Sequence, residues 1–191
     1  MTPGGASSAS SKRTASVGEE MAARRRFGAE SMVAPLREIL VKRPGPAFGR
    51  AFDDPAHGFL HPVDLDAAQR QHDELTSIVA GLDVVVHELG AETRSPDLVY
   101  TFDPAVVGNR GAILLRPGKA TRVGEEAALE TWFVEREIPV AGRIEAPGTA
   151  EGGDTFWLKP GVLCIGRSLR TNRAGADQLA ALVGGEVHIF D

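Results

Sequence analysis

The chain has 191 residues, 42% hydrophobic and 25% charged, enough for one globular domain with a buried core. A formal net charge of -5 argues against nucleic acid as a partner. The single cysteine, Cys164, excludes an internal disulfide framework, and no apolar run approaches the roughly 20 residues of a membrane span. The expectation is a soluble, cytoplasmic protein that binds neither nucleic acid nor membrane.

Met1 to Val17 is rich in Ser, Ala, Gly and Thr with almost no large apolar side chain. Such a segment cannot offset its ordering entropy by burial. Residues 1–31 are therefore expected to be a disordered extension, with the folded domain over 32–191. Met32 to Val41 reads as a strand, ended by Arg43-Pro44-Gly45-Pro46. Ala47 to Pro62 carries Phe48, Phe52, Phe59, His57 and His61 among Gly, Pro and Asp, and reads as a long aromatic loop of functional character. Asp64 to Gly81 reads as a helix, capped by Asp64, with Leu65, Ala68, His72, Leu75, Ile78 and Val79 on one face. Leu82 to Leu89 reads as a strand.

From here the chain repeats itself. Leu98 to Phe102 and Ala112 to Leu115 are expected strands around the turn Gly108-Asn109-Arg110-Gly111, followed by a helix over Arg122 to Arg136 and a strand over Ile138 to Ala141. Thr155 to Leu158 and Val162 to Ile165 then flank Lys159-Pro160-Gly161. A helix over Arg173 to Val183, ended by Gly184-Gly185, and a strand over Glu186 to Phe190 complete the second copy. Strand, strand, helix, strand at a period near 48 suggests radial or solenoid repetition.

The repeat also carries charge in register. Asp103 and Arg122 are 19 positions apart, and so are Glu151 and Arg170. A carboxylate and a guanidinium at matching points make a candidate half-site used twice. Asp97 to Asp103, read as a strand with period two, would put Asp97, Val99, Thr101 and Asp103 on one face. In Glu151-Gly152-Gly153-Asp154 two carboxylates flank a Gly-Gly pair that allows close backbone approach. Pro117-Gly118-Lys119-Ala120-Thr121 is not a phosphate loop: the glycine five places earlier is missing, and Ala120 stands where Ser or Thr is required. The histidines (57, 61, 72, 87 and 188) show no paired metal spacing, and no cofactor is expected.

Four motifs in this order carry a resemblance: Asp97-x-x-Tyr100-x-x-Asp103, Arg116-Pro117-Gly118 to Arg122-x-Gly124-Glu125, Glu151-Gly152-Gly153-Asp154, and Ile165-Gly166-x-Ser168-x-Arg170-Thr171-Asn172-x-x-Gly175. Together they resemble the guanidino-group-modifying superfamily of arginine deiminases and amidinotransferases, most closely its dimethylarginine dimethylaminohydrolase branch, over residues 32–191. The resemblance implies an α/β fold, a five-bladed propeller of strand–strand–helix–strand units, of which this chain would hold about three. It implies a small guanidino substrate, an arginine derivative, converted to citrulline and an amine through a cysteine thiouronium intermediate.

By the same resemblance, Asp103 would bind the guanidinium and Glu151 would support a catalytic histidine. Arg122 and Arg170 would clamp the substrate carboxylate. Asp97 would contact the substrate's amino or guanidino group, and the Phe48–Phe59 loop would be the lid. Phe102 departs from the glutamate found there in several members of that branch. The family's histidine follows the third blade and its cysteine lies near the C-terminus, whereas this chain ends at Asp191. The expectation is a C-terminally truncated member that carries the substrate-binding half and is inactive alone. The alternative is a non-catalytic guanidino-binding or structural fragment completed by another chain. Cys164, inside the apolar run Val162-Leu163-Cys164-Ile165, is expected in the core.

Overall fold

A computed structural model describes residues 27–191, and the first 26 positions of the expected N-terminal extension lie outside them. Beyond that limit, Ala29 N–H donates to Val107 O at 2.9 Å, so the chain already runs along a strand there. The described residues form three small sheets in chain order.

The first sheet pairs β1 (Glu38–Val41) with β2 (Val85–Glu88) in parallel, Glu38 opposite Val85 and Val41 opposite Glu88. Both strands are shorter than read from the sequence. Pro35 lacks the N–H a strand ladder needs, and Asp83 adopts a left-handed φ of 58° before β2. The expected loop 47–62 contains a short helix, α1 (Pro46–Gly49), and two 3-10 turns, Ala51–Asp53 and Pro55–His57. Helix α2 (Leu65–Ala80) matches its expected span, and the Asp64 carboxylate accepts from Ala67 N–H at 2.9 Å as its cap.

The second sheet holds β3 (Ala105–Gly108), β4 (Gly111–Leu114) and β5 (Val140–Arg143), with β4 central, antiparallel to β3 and parallel to β5. Asn109 and Arg110 close the hairpin. Gly111 has φ of 128°, and a Cβ there would run into the Pro139 carbonyl, so only glycine fits. Between β4 and β5 lies α3 (Glu125–Glu135). The third sheet repeats the pattern with β6 (Thr155–Lys159), β7 (Val162–Gly166), α4 (Arg173–Val183) and β8 (Glu186–Phe190), β7 being central.

The segment read as a strand over Leu98 to Phe102 is instead a 3-10 turn, Pro96–Val99, followed by further turns. Local capping overrides alternation here. The Ser95 hydroxyl accepts from Asp97 N–H, Pro96 starts the turn, and Tyr100 N–H closes it on Asp97 O at 3.0 Å. The first strand of the unit is therefore Ala105–Gly108, and Asp97 and Asp103 do not share a strand face. Arg122 likewise precedes the helix: it ends a 3-10 turn, Ala120–Arg122, and α3 starts after Gly124, whose φ of 101° breaks the run.

Strand β4 joins the two larger units. Its residues alternate between two apolar clusters. Ala112 and Leu114 pack with Leu98, Leu129, Trp132 and Phe133. Ile113, and Leu115 just after it, pack with Ile144, Trp157, Leu163, Ile165 and Leu179. Cys164 is buried on β7, 2% exposed.

Candidate functional site

The loops that precede the two larger sheets, and the turns that lead into α3 and α4, converge on one open pocket of about 330 Å³. It is lined by Asp97, Tyr100, Asp103, Lys119, Arg122, Glu151 and Arg170. All five residues singled out from the sequence are in this set. A second cavity, beside Trp157 and Leu182, measures only about 20 Å³, too small for a guanidino compound.

The spacing of 19 is realised as a contact in both units. Arg122 Nη1 donates to Asp103 Oδ2 at 2.6 Å, and Arg170 Nη1 donates to Glu151 Oε1 at 3.3 Å. The two pairs also touch each other, Arg122 Nη1 lying 3.7 Å from Glu151 Oε2. The backbone knits them together. Gly152 N–H donates to Asp103 O at 3.0 Å, and Gly153 N–H to Asp103 Oδ1 at 3.0 Å. A Cβ on Gly152 would collide with the Phe102 carbonyl, which explains the Gly-Gly pair. Gly118 N–H donates to Glu151 Oε1 at 3.1 Å. Asp154 is not among the lining residues: its Oδ2 accepts from Ser168 and Thr171 hydroxyls at 2.7 and 2.6 Å and holds the turn that carries Arg170.

The two arginines sit in different settings. The Arg122 side chain is 4% exposed and that of Arg170 is 42% exposed. Arg122 donates through Nε and Nη2 to Glu125 Oε2 at 3.0 and 2.7 Å, through Nη2 to Asp97 O at 3.2 Å, and through Nη1 to Asp103. Burial opposes its charge, but the hydrogen bonds it donates to Glu125 and Asp103 outweigh burial and hold its pKa above the ordinary arginine value. Four of its five N–H donors are thus spent inside the protein.

Sequence reasoning missed Lys119 and Glu125. Lys119 Nζ donates to Asp97 Oδ2 at 2.6 Å and to the His57 carbonyl at 2.6 Å, the point where the aromatic loop meets the pocket. No local signal marks it, since both of its acceptors lie on other segments of the chain. Glu125 lies beneath the pocket, bonded by Arg122 and the Ser95 hydroxyl. Phe102 is half-exposed and does not line the pocket. Among the described residues, no group of His, Cys, Asp and Glu is arranged to hold a metal ion, and no helix is long and apolar enough to cross a membrane.

Burial raises the Glu125 pKa, against the hydrogen bonds from Arg122 and Ser95 that lower it. The native state then holds this proton more readily than the unfolded chain does. Its contribution to stability is full below the ordinary glutamate value, about 4.3, and is lost as pH rises through the native value. Glu125→Gln removes that titration. Urea midpoints of the wild type are expected to fall relative to the variant as pH climbs above about 4.3. A constant difference between the two proteins across that range would count against the raised value.

Residues 91–188 match the family described as arginine deiminase. The dimethylarginine dimethylaminohydrolase of Pseudomonas aeruginosa is 38% identical over 125 residues, covering 65% of this chain and 48% of that protein. The same enzyme of Streptomyces coelicolor is 32% identical over 148 residues, covering 77% of this chain and 55% of that protein. This chain spans about half the length of the curated relatives it matches. Among solved structures, a cysteine-to-serine variant of the Pseudomonas aeruginosa enzyme in complex with citrulline superposes with a TM-score of 0.70 at 33% identity, over 81% of this chain and 60% of that one. The N-terminal domain of ArgZ, an arginine dihydrolase from cyanobacteria, shares the fold with a TM-score of 0.69 at 23% identity, over 80% of this chain and 56% of that one.

Proposed function

The chain belongs to the arginine deiminase family, and from that premise we propose that its pocket is the substrate-binding half of a site that hydrolyses a guanidino compound, an arginine or Nω-methylated arginine derivative, to citrulline and an amine. The three sheet units are read as three blades of a five-bladed α/β propeller. The observation that carries the reading is the convergence of both acid–arginine pairs, built by separate units, on one pocket.

Each role follows from charge and geometry. A guanidinium is a planar cation that seeks paired carboxylate acceptors. Asp103, fixed by Gly153 N–H, is the proposed acceptor, and Glu151 the proposed acid that orients a histidine. Arg170, the more exposed guanidinium, anchors the substrate carboxylate. Arg122 adds at most one free N–H and mainly balances the buried acids. Asp97 completes the acidic lining. In the proposed reaction a cysteine thiolate attacks the guanidinium carbon. The carbon–nitrogen bond to the leaving amine breaks as a histidine protonates that nitrogen. Water then adds to the thiouronium carbon, its proton passes to the histidine, and the thiolate leaves to give the ureido product.

The nucleophile is not among the lining residues, which include no cysteine or histidine among those described. Cys164, the one cysteine, is buried on β7. We therefore expect these 191 residues to bind but not to turn over, and binding without chemistry is the second reading they support. Calorimetry with arginine and Nω,Nω-dimethylarginine tests the first part: saturable heat is expected, and a folded sample that gives none with any guanidino compound would refute the site. A citrulline-release assay tests the second, and clear turnover would overturn the assigned lack of a nucleophile.

A further inference from the structure

We propose that Lys119 is a positioning residue of this pocket: anchored on Asp97, it holds the aromatic loop at the pocket rim through the His57 carbonyl and so slows the escape of a bound ligand. The tether stands on geometry alone, and its effect on a ligand rests on the guanidino-binding reading above. Residues 46–59 form a compact block. The Asp54 carboxylate accepts from Ala56 N–H at 2.9 Å, His57 Nδ1 lies 3.2 Å from Ala51 O, and the Phe48 and Phe59 rings meet edge to face with centroids 5.7 Å apart. The block rests on a small apolar seat: Ala51 is fully buried, Gly49 lies against the Leu65 side chain, and α1 packs on the turn Pro96–Val99. Among the described residues, one hydrogen bond ties it to the pocket, from Lys119 Nζ to His57 O at 2.6 Å. Gly58, with φ of 77°, follows at once and lets the chain turn away. An attachment of so few buried contacts opens locally at low cost, and that one bond carries a large share of it.

Asp97 fixes where the ammonium sits. Its Oδ2 is 2.6 Å from Lys119 Nζ, with the lysine and aspartate side chains 18% and 10% exposed. The pair neutralises both charges and leaves further ammonium protons for His57 O. A hydrogen bond from an ionised donor is stronger than a neutral one. Asp97 Oδ1 accepts no hydrogen bond among the described residues, so the cation of an α-amino acid ligand can share this carboxylate without displacing Lys119. Asp97 and Lys119 both line the pocket, and a loop that swings away from them widens the rim and uncovers the ligand.

The test is hydrogen exchange on the 191-residue chain, joined to arginine binding kinetics by surface plasmon resonance. In Lys119→Met, which keeps the stem and removes the donor, amide exchange over residues 51–59 is expected to rise roughly tenfold or more, with a smaller change in β4 and β7. Asp97→Asn, whose side chain bonds to nothing in the loop, is expected to raise exchange in the same segment. The arginine off-rate of Lys119→Met is expected to rise by about tenfold, with the on-rate changing less. Unchanged loop exchange in folded Lys119→Met, or an equal rise in the loop and in β4, overturns the tether. Unchanged loop exchange in Asp97→Asn overturns Asp97 as its anchor. An off-rate that stays at the wild-type value in Lys119→Met overturns the positioning role and leaves guanidino binding standing. A folded wild type that binds no arginine or other guanidino compound overturns the proposed function, while the exchange rates still decide the tether.

Discussion

Arg122→Ala is expected to destabilise the protein by about 3–5 kcal/mol, the cost typical of removing one partner from a buried ion cluster. The reason lies in what it leaves behind. Arg122 Nη1 is 2.6 Å from Asp103, Nη2 is 2.7 Å from Glu125, and Nη1 is 3.7 Å from Glu151. The Glu125 and Glu151 side chains are 1% and 7% exposed. Without the guanidinium, three carboxylates face one another with little water to screen them, and the Asp97 carbonyl also loses its donor. The expected fall in Tm is on the order of 10 °C. Arg122→Lys keeps the charge but not the planar fork that reaches Glu125 through two nitrogens, so an intermediate loss is expected. Chemical denaturation of both variants checks this. A loss under about 1 kcal/mol for Arg122→Ala, the range of exposed ion pairs, would show that the cluster is solvated.

How far the sequence reveals this cluster depends on which physical rule governs each residue. The pairs Asp103–Arg122 and Glu151–Arg170 were legible because a repeated unit fixes the separation between equivalent loops, and that separation survives errors in the local structure. The helices over Leu65–Ala80 and Arg173–Val183 are legible from their ends: Asp64 accepts from Ala67 N–H three residues on, and Gly184 closes the other helix in a left-handed conformation. Alternation misled at 97–103, where Ser95 and Pro96 impose a turn that a hydrophobicity pattern does not register. Glu125 stands in one of the four motifs that carry the resemblance, but the sequence assigns it no role. Its carboxylate is held by Ser95, 30 residues away, as well as by Arg122, and the first of these contacts is not visible in a local pattern. Lys119 was hidden for a similar reason, since its acceptors belong to two other segments, Asp97 and the carbonyl of His57.

Asp103 separates the two jobs the cluster performs, holding the fold and holding a ligand. Asp103→Asn keeps the size of the side chain but removes its charge. The backbone bond from Gly152 N–H to Asp103 O at 3.0 Å does not involve the side chain and remains. An amide has one carbonyl oxygen, however, and two donors compete for it: Arg122 Nη1 at Oδ2 and Gly153 N–H at Oδ1. Whichever way the amide turns, one donor is left without its acceptor, at a cost of about 1–3 kcal/mol. Arg122 keeps Glu125, so the protein is expected to remain folded. The ligand loses more in proportion. A hydrogen bond to a charged group contributes about 1.5–3 kcal/mol, so guanidinium affinity is expected to fall by roughly 10- to 150-fold. Asp154→Asn is the control. Asp154 bonds Ser168 and Thr171 but does not line the pocket, so its loss should lower stability with a much smaller change in affinity. Titration of both variants with the same guanidino ligand, alongside urea denaturation, resolves the two effects. Wild-type affinity in folded Asp103→Asn would sink Asp103 as the guanidinium acceptor, and equal losses of affinity in the two variants would mean that the ligand reports only the integrity of the fold.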